Sequence, residues 1–373
     1  MANLSLQHIL TQHLPSILNE CNFPLHQLKA LDKLRDCRTS ALGGHKQVCE
    51  NGHINGIWYN SCKHRSCPQC QGLASEQWIV DTKELLIDCP HHHIIFTLPS
   101  EFNNLWRYNR NEMMAILFKA TNETLKTFSQ NPKYLGANPG ILMALHTWGR
   151  NLSLNPHMHV VISHGGISKD NEWIQAKKKR LFPYKPVMMM FKGKVIDMIK
   201  RGVFNDEIVL PEGLDQQGYL NIIKSVRSKT WVVHFCERYN HGRGVAKYLG
   251  RYVKRSPFKN SQLVSVKNNR VSFSYQSHQT SKREVCNLSI LDFIRRLMEH
   301  VSLPCKRMVR YSGIYTYSLR YKLVVAKQYF GQSVNGLGAR ISWELFMSAH
   351  GSMPKCNICG CKLLHLGDVL AQR

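Results

Sequence analysis

Two histidines separated by one residue are the first feature of this sequence that could carry out chemistry. His157 and His159 flank Met158 in an apolar run that follows Asn155-Pro156, a pair typical of turns. Because side chains on a strand alternate between its two faces, both imidazoles would point the same way. Such a pair can hold one divalent metal ion, but two ordinary half-buried histidines would have the same spacing. The pair alone leaves both interpretations open.

Two tyrosines further along the chain could supply a nucleophile. Tyr248 and Tyr252 are four positions apart and would lie on one face of a helix. A tyrosine hydroxyl has an unperturbed pKa near 10, so it attacks poorly unless a metal ion or a base assists it. Basic residues of the same segment are candidates for binding a DNA strand; these are Lys247, Arg251, Lys254 and Arg255. The alternative is an amphipathic helix with packed tyrosines and solvated cations.

Together, these features resemble the two-tyrosine HUH transposases of bacterial insertion sequences that move by rolling-circle replication, the group typified by insertion sequence 91. HUH denotes two histidines that flank a hydrophobic residue. The likeness covers roughly residues 31–320 in consistent order. Its motifs lie in segments 41–45, 60–71, 93–99, 145–150, 293–296 and 310–313. No single motif is decisive, but the ordered set is specific.

The resemblance implies an α+β fold in three parts. An N-terminal helix and a zinc-ribbon-like module that contacts DNA would together occupy residues 1–89. An HUH palm domain, which is an antiparallel sheet flanked by helices, would occupy residues 90–300 and include the tyrosine helix. A small C-terminal region would follow over residues 301–373.

The resemblance also implies a mechanism. Tyr248 would form a 5′-phosphotyrosine, and Tyr252 would make a second cleavage while the first strand stays attached. Mg²⁺ or Mn²⁺ on His157 and His159 would act on the scissile phosphate, whereas two imidazoles alone would equally suit zinc. The third metal ligand stays open; the candidates are His146, His234, Glu237 and His241.

The chain contains thirteen cysteines and has no recognisable export signal, a combination that favours zinc sites over disulfides. Cys67 and Cys70 have the spacing that lets two thiolates reach one tetrahedral ion. We predict that Cys49 and His53 complete this structural zinc site, with Cys62 or His45 as alternatives to His53. These alternatives stay open because this chain lacks the cysteine that the family pattern places just before the Gly-His pair.

A second cysteine-rich knuckle lies near the end of the chain. It contains Cys356, Cys359 and Cys361, and His365 follows. These residues either close a zinc site of their own or are a remnant. Of the remaining candidates, Cys37 is assigned to the core and His64 to the surface.

The reactive residues need rigid elements to position them. Residues 91–98, 140–148 and 151–162 are rich in β-branched and apolar residues and predict strands, the last of them after a turn. Residues 104–128 predict a helix. A helix that covers one face of an antiparallel sheet would leave the other face open for metal and DNA.

The charge of the chain indicates its partner. A net charge of +26 favours a polyanion partner, most simply nucleic acid. The resemblance implies that this partner is DNA, chiefly single-stranded transposon ends and target. No apolar run approaches the ~18 residues of a membrane span, so we expect no membrane partner and a cytoplasmic, nucleoid-associated protein. An HUH relaxase or replication initiator is the nearest alternative. A zinc-dependent nucleic-acid-binding regulator without catalysis is the alternative from another class.

Overall fold

The computed structural model describes residues 4–242, 244–246, 250, 256–277, 280–334, 338–351 and 353–372. Helices with both ends in these residues are α1 (Leu6–Glu20), α2 (Leu25–Asp36), α3 (Gly72–Leu85), α4 (Asn103–Tyr108), α5 (Arg110–Gln130), α6 (Tyr184–Phe204), α7 (Gln216–Ser228), α8 (Ile290–Glu299), α9 (Arg320–Tyr329) and α10 (Trp343–Ala349). Strands are β1 (Gly44–Cys49), β2 (Ile54–Tyr59), β3 (His91–Thr97), β4 (Gly140–Trp148), β5 (Leu154–Ser163), β6 (Gly165–Ile167), β7 (Trp173–Gln175), β8 (Val233–Phe235), β9 (Leu263–Lys267), β10 (Arg270–Gln276), β11 (Arg283–Ser289), β12 (Val309–Gly313) and β13 (Leu363–Val369).

A five-stranded sheet carries the histidine pair. Its strand order is β12-β4-β5-β3-β8, and every neighbouring pair is antiparallel. The strand β5 is central, with β3 and β4 on its two sides, so its backbone groups are paired along both edges. A central strand covered on both faces is expected to be apolar, and β5 becomes continuously buried from Met158 onward.

The two faces of this sheet have different coverings. Phe96, Met158 and Val160 belong to a large hydrophobic core that includes residues of α5 and α6. The opposite face carries His157, His159 and the neighbouring apolar residues of β4 and β5. It packs against α3 and a short segment that begins at residue 244.

The N-terminal module contains a smaller antiparallel sheet in the order β13-β1-β2. The strand β13 comes from the end of the chain and pairs with β1 from Gly44↔Val369 to Cys49↔Leu363. A third sheet, in the order β11-β10-β9, packs with α1, α2 and α8 through a second hydrophobic core.

The predicted fold class is confirmed: the chain is α+β, with a cysteine-rich N-terminal module followed by an antiparallel sheet flanked by helices. The helix predicted over residues 104–128 is two helices, because Asn109 leaves helical geometry between α4 and α5. Its side-chain amide instead bonds the backbone N–H and carbonyl of Val209, both at 2.7 Å. The predicted region 301–373 is divided between the two sheets, because β12 joins the large one and β13 the small one.

No helix among the described residues is both long and apolar enough to cross a membrane.

Candidate active site

Three imidazoles meet on one face of the central sheet. His146 of β4 lies opposite His157 of β5 in the strand register, and His159 lies opposite Ala144. One ring nitrogen from each of the three histidines lies within 4.8 Å of the others, a spacing that one ion can bridge. The strand alternation predicted for His157 and His159 therefore places both in one group. His146 joins them, whereas the other three candidates for the third ligand do not.

Hydrogen bonds fix the ring orientations of two of these histidines. The Nδ1 of His157 lies 2.6 Å from the carbonyl oxygen of Asn155. The Nδ1 of His159 lies 2.9 Å from Nε2 of His93 on the neighbouring strand β3. Both contacts engage Nδ1 of the histidine on β5. An outer partner of this kind selects the tautomer and orientation of a metal-binding histidine.

Burial disfavours the charged form of two of these imidazoles. It lowers the pKa of His159 well below the usual value, and the neighbouring His146 lowers it further. Burial likewise lowers the pKa of His93 to about 4. Neutral imidazole is the form that binds metal, so the lowered pKa of His159 suits a ligand of a divalent cation near neutral pH. The donor set therefore fits a metal ion.

Sequence reasoning missed His93. Histidines at the start of a strand are usually solvated, but His91, His92 and His93 are all buried. His91 contacts the hydroxyl of Tyr315, and His92 contacts His164, both at 2.7 Å. Only the strand pairing reveals that His93 and His159 share a face, because nothing in the local sequence specifies which strand lies beside β5.

The predicted nucleophile segment is only partly described. Tyr248, Tyr252 and the four basic residues around them lie outside the described residues. Gly244, Val245, Ala246 and Gly250 have helical backbone geometry. Val245 and Ala246 are fully buried in the hydrophobic cluster that contains Leu142, Ala144 and Val161 of the sheet. The described start of the segment therefore packs on the sheet face that carries the three histidines.

The N-terminal module contacts this segment at one position between the two tyrosines and at another after them. The hydroxyl of Ser75 in α3 donates to the carbonyl of Gly250 at 2.9 Å. After the segment, the hydroxyl of Ser256 donates to the carbonyl of Ser66 at 2.7 Å. The approach at Gly250 is close, because an added Cβ would lie 2.1 Å from Cγ1 of Ile79.

Tyrosines of the C-terminal part are rivals for the role of nucleophile. Tyr315 is buried, and its hydroxyl bonds to His91, which gives it a structural role. Burial also raises its pKa well above the usual value. Tyr317 is 89% exposed and does not belong to the hydrophobic cluster on the sheet face that carries the histidines.

Two groups of possible zinc ligands occur in the described residues. The first contains Cys37, Cys62, Cys67 and Cys70. Its Sγ–Sγ distances are 3.7 Å between Cys62 and Cys70 and 3.5 Å between Cys37 and Cys67. Ligand atoms around a tetrahedral zinc lie about 3.5–3.8 Å apart, so this spacing fits the ion.

The predicted grouping of the zinc ligands is wrong. Cys67 and Cys70 do lie together, and Cys62 joins them, but the fourth residue is Cys37, which had been assigned to the core. Cys49 and His53 belong to the second group, with Cys356 and Cys359 from the end of the chain. The physical reason is that β1 runs away from the knuckle of Cys67 and carries Cys49 to the far end of the small sheet, where β13 begins.

Comparisons with known proteins cover most of the chain. Residues 140–322 match a family model described as "Putative transposase", and residues 9–98 match one described as "Transposase zinc-binding domain", of the IS91 type. The "Putative transposase y4qJ" of Sinorhizobium fredii (strain NBRC 101917 / NGR234) is 30% identical over 354 residues, 92% of this chain and 88% of that protein. The "Transposase for insertion sequence element IS801" of Pseudomonas savastanoi pv. phaseolicola is 30% identical over 294 residues, 77% of this chain and 70% of that protein.

Solved structures show weaker likeness. A metal-bound structure of the conjugative relaxase TrwC with oriT DNA is 10% identical, over 44% of this chain and 71% of that chain, with a TM-score of 0.24. TrwC with a 27-mer DNA that comprises the recognition hairpin and the cleavage site is 12% identical, over 65% of this chain and 75% of that chain, with a TM-score of 0.25. Both scores are too low to establish a common fold.

Proposed function

Because the chain belongs to the insertion-sequence-91-like transposase family, we propose that it nicks and rejoins single-stranded DNA at transposon ends through a 5′-phosphotyrosine intermediate. The observation that carries this proposal is the position of the three histidines. They lie on the sheet face against which the segment that contains Tyr248 and Tyr252 begins.

His146, His157 and His159 would hold the divalent metal ion. When bound, Mg²⁺ or Mn²⁺ would polarise the scissile phosphodiester and offset the charge that develops on it. The chain itself supplies orientation: β4 and β5 fix the three Cα positions, and His93 fixes the ring of His159. Ligands fixed on paired strands would favour an in-line arrangement of the reacting groups.

Tyr248 is proposed as the nucleophile. Its hydroxyl oxygen would attack the phosphorus and lose its proton, and the bond from phosphorus to the 3′ oxygen would break. The products are a 5′-phosphotyrosine and a free 3′-hydroxyl, which takes up a proton. This exchange of one phosphodiester for another is readily reversed, so the attached strand can later be rejoined. Tyr252 would make the second cleavage while the first strand remains bound.

A groove beside β8 suits a single DNA strand. Its volume is about 850 Å³, and its basic lining residues are Lys179, Arg180 and Arg238. Tyr184 and Phe235 add aromatic surface to the same groove, while Glu237 adds a carboxylate. Cations along the backbone and aromatic rings for the bases are the combination that binds unpaired DNA without strong sequence preference. Lys179 and Arg180 end a run of four consecutive basic residues that starts at Lys177, and DNA is its proposed partner.

A covalent-adduct assay tests the proposal. Purified protein is incubated with Mn²⁺ and a labelled single-stranded oligonucleotide that spans the transposon end, and an SDS-resistant complex is measured. We expect the complex to retain a label placed 3′ of the nick, and to disappear in Tyr248→Phe and in His157→Ala. Tyr317→Phe is the matched control, because it removes an exposed tyrosine hydroxyl outside the site.

Other outcomes of this assay are equally informative. Loss of the complex in Tyr252→Phe but not in Tyr248→Phe would exchange the two tyrosine roles. Retention of a label placed 5′ of the nick would contradict the proposed polarity. Tight, salt-sensitive binding without any complex would favour a non-catalytic DNA-binding regulator.

Gly250 offers a test of how the nucleophile segment is positioned. Gly250→Ala is expected to slow adduct formation by about 10²-fold, because the new Cβ must displace the segment or Ile79, and small misplacements cost that much. Metal binding at the histidines should be unchanged in an isothermal titration. Combining Gly250→Ala with Ile79→Ala creates room for the methyl group and should recover part of the rate.

Gly193→Ala is the control for this substitution. Gly193 lies in α6, and a Cβ there would meet nothing within 4 Å. A rate in Gly250→Ala equal to that of Gly193→Ala would show that close packing at Gly250 does not position the nucleophile.

A further inference from the structure

The end of the chain returns to the N-terminal module. The strand β13 adds to the edge of β1, and the two strands pair along their whole lengths. Before β13, α10 contacts the same module, since Trp343 meets Trp58 edge-to-face with ring centroids 5.9 Å apart. Between α10 and β13 lies a tight turn in which the backbone N–H of Cys356 donates to the carbonyl of Cys361. This turn carries the C-terminal knuckle.

The knuckle faces a second turn, between β1 and β2. In that turn the N–H of Cys49 donates to the carbonyl of His53, and the N–H of Gly52 donates back to Cys49. Gly52 has a φ of +81°, a left-handed conformation that glycine adopts without strain. The turn brings Sγ of Cys49 to 3.4 Å from Nδ1 of His53.

Four donor atoms converge where the two turns meet. Sγ of Cys356 lies 3.7 Å from Nδ1 of His53, and Sγ of Cys359 lies 3.6 Å from Sγ of Cys49. All four atoms lie within 4.8 Å of one another. Tetrahedral zinc with three sulfur ligands and one nitrogen ligand requires separations of about 3.5–3.8 Å. A disulfide would instead require two sulfurs about 2.05 Å apart.

The surroundings also resemble those of the first cysteine group. The N–H of Ile358 points to Sγ of Cys356 at 3.4 Å, just as the N–H of Gln69 points to Sγ of Cys67 at 3.4 Å. The side-chain amide of Asn55 donates a second hydrogen bond to Cys356 at 3.1 Å. Donors aimed at a sulfur stabilise the thiolate form that binds metal.

We infer that Cys49, His53, Cys356 and Cys359 bind a second structural zinc ion, which fastens the end of the chain to the N-terminal module. The ligands come in two pairs that are more than 300 positions apart in sequence. Four protein ligands leave no open position for catalysis, so the ion is structural. Most of β13 is exposed, so its attachment depends on strand pairing and on this ion more than on a core of its own.

A site within the C-terminal knuckle alone is the competing arrangement, and the geometry disfavours it. Cys361 lies outside the group of four, and its sulfur accepts a long contact of 3.7 Å from the amide of Asn51. His365 points away from the knuckle, since its Nε2 contacts Asp368 and its ring meets His45 edge-to-face.

Zinc content of the full-length protein tests this inference. Elemental analysis of the protein purified without chelator should give two zinc ions per chain. Cys359→Ser, Cys49→Ser and His53→Ala should each lose one of them, whereas His53→Cys should retain both because it supplies a thiolate at the same turn. Cys361→Ser and His365→Ala are matched controls in the same part of the tail and should retain two.

A second measurement separates loss of the ion from general misfolding. In Cys359→Ser, amide hydrogen exchange should accelerate across β13 and its partner β1, while β4 and β5 stay protected. Cobalt(II) substitution should give a spectrum with a Cys₃His component that disappears in His53→Ala and becomes Cys₄-like in His53→Cys. One zinc ion per wild-type chain would overturn the inference. So would loss of an ion in Cys361→Ser or His365→Ala combined with its retention in Cys49→Ser.

Discussion

Replacement of His146 by Ala is expected to weaken Mn²⁺ binding by more than 100-fold and to reduce adduct formation correspondingly. The loss leaves two imidazoles from β5 and removes the ligand that β4 supplies. Removing only the outer hydrogen-bond partner of a metal-binding histidine typically costs about 10–100-fold, and loss of a ligand costs more. Titration calorimetry with Mn²⁺ and the initial rate of adduct formation measure the two effects.

His93→Ala provides a graded comparison. It removes the bond to Nδ1 of His159 but no ligand, so affinity should fall by about 10–100-fold and activity should return at high Mn²⁺. His164→Ala is the matched control, because His164 is a buried histidine just after β5 that contacts His92 and lies outside the group of three. Wild-type affinity in His146→Ala would remove His146 from the site and reopen the search for the third ligand.

The elements around this site could be predicted from the sequence because their signals are local. The placement of His157 and His159 on one face of a strand follows from their spacing alone. The apolar run of residues 140–148 predicts a strand with the same bounds as β4. The hairpin between β9 and β10 is equally local, since Asn268 and Asn269 adopt the positive φ angles of 50° and 57° that such a turn requires.

The remaining parts of the site depend on which strands become neighbours. His146 becomes a candidate ligand only when β4 pairs with β5 in the observed register, with His146 opposite His157. A slip of one residue would turn His146 to the opposite face, and no local pattern fixes that register. The outer partner His93 depends in the same way on the pairing of β3 with β5.

The zinc ligands show the same limit over a longer range. Spacing identifies each knuckle, because two residues between cysteines bring both thiolates to one ion. It does not identify which half-sites combine. Cys49 and Cys67 are close in sequence, yet β1 separates them, while Cys359 is brought to Cys49 by the pairing of β13 with β1. The sequence does not identify Cys37 as a zinc ligand, because this cysteine follows α2 and has no second cysteine at knuckle spacing.

Replacement of Cys67 by Ser is expected to remove one zinc ion and to abolish adduct formation while Mn²⁺ binding at the histidines persists. The first cysteine group lies beside both contacts that hold the nucleophile segment. Ser66, next to Cys67, accepts the bond from Ser256, and α3, which begins two residues after Cys70, donates the bond to Gly250. Zinc modules of this kind usually unfold without their metal, so both contacts should be lost together.

Cys305→Ser is the control for this change, since Cys305 is exposed and belongs to neither ligand group. Zinc content, Mn²⁺ affinity and adduct formation should all match the wild type in this variant. If Cys67→Ser loses its zinc and still forms adduct at the wild-type rate, the N-terminal module does not position the tyrosines. If it loses Mn²⁺ binding as well, the module stabilises the whole central sheet through the packing of α3 on it, in addition to holding the nucleophile segment. The expected result is that Mn²⁺ binding is retained and adduct formation is lost. This result requires that the central sheet positions the catalytic metal ion and that the zinc module positions the nucleophile.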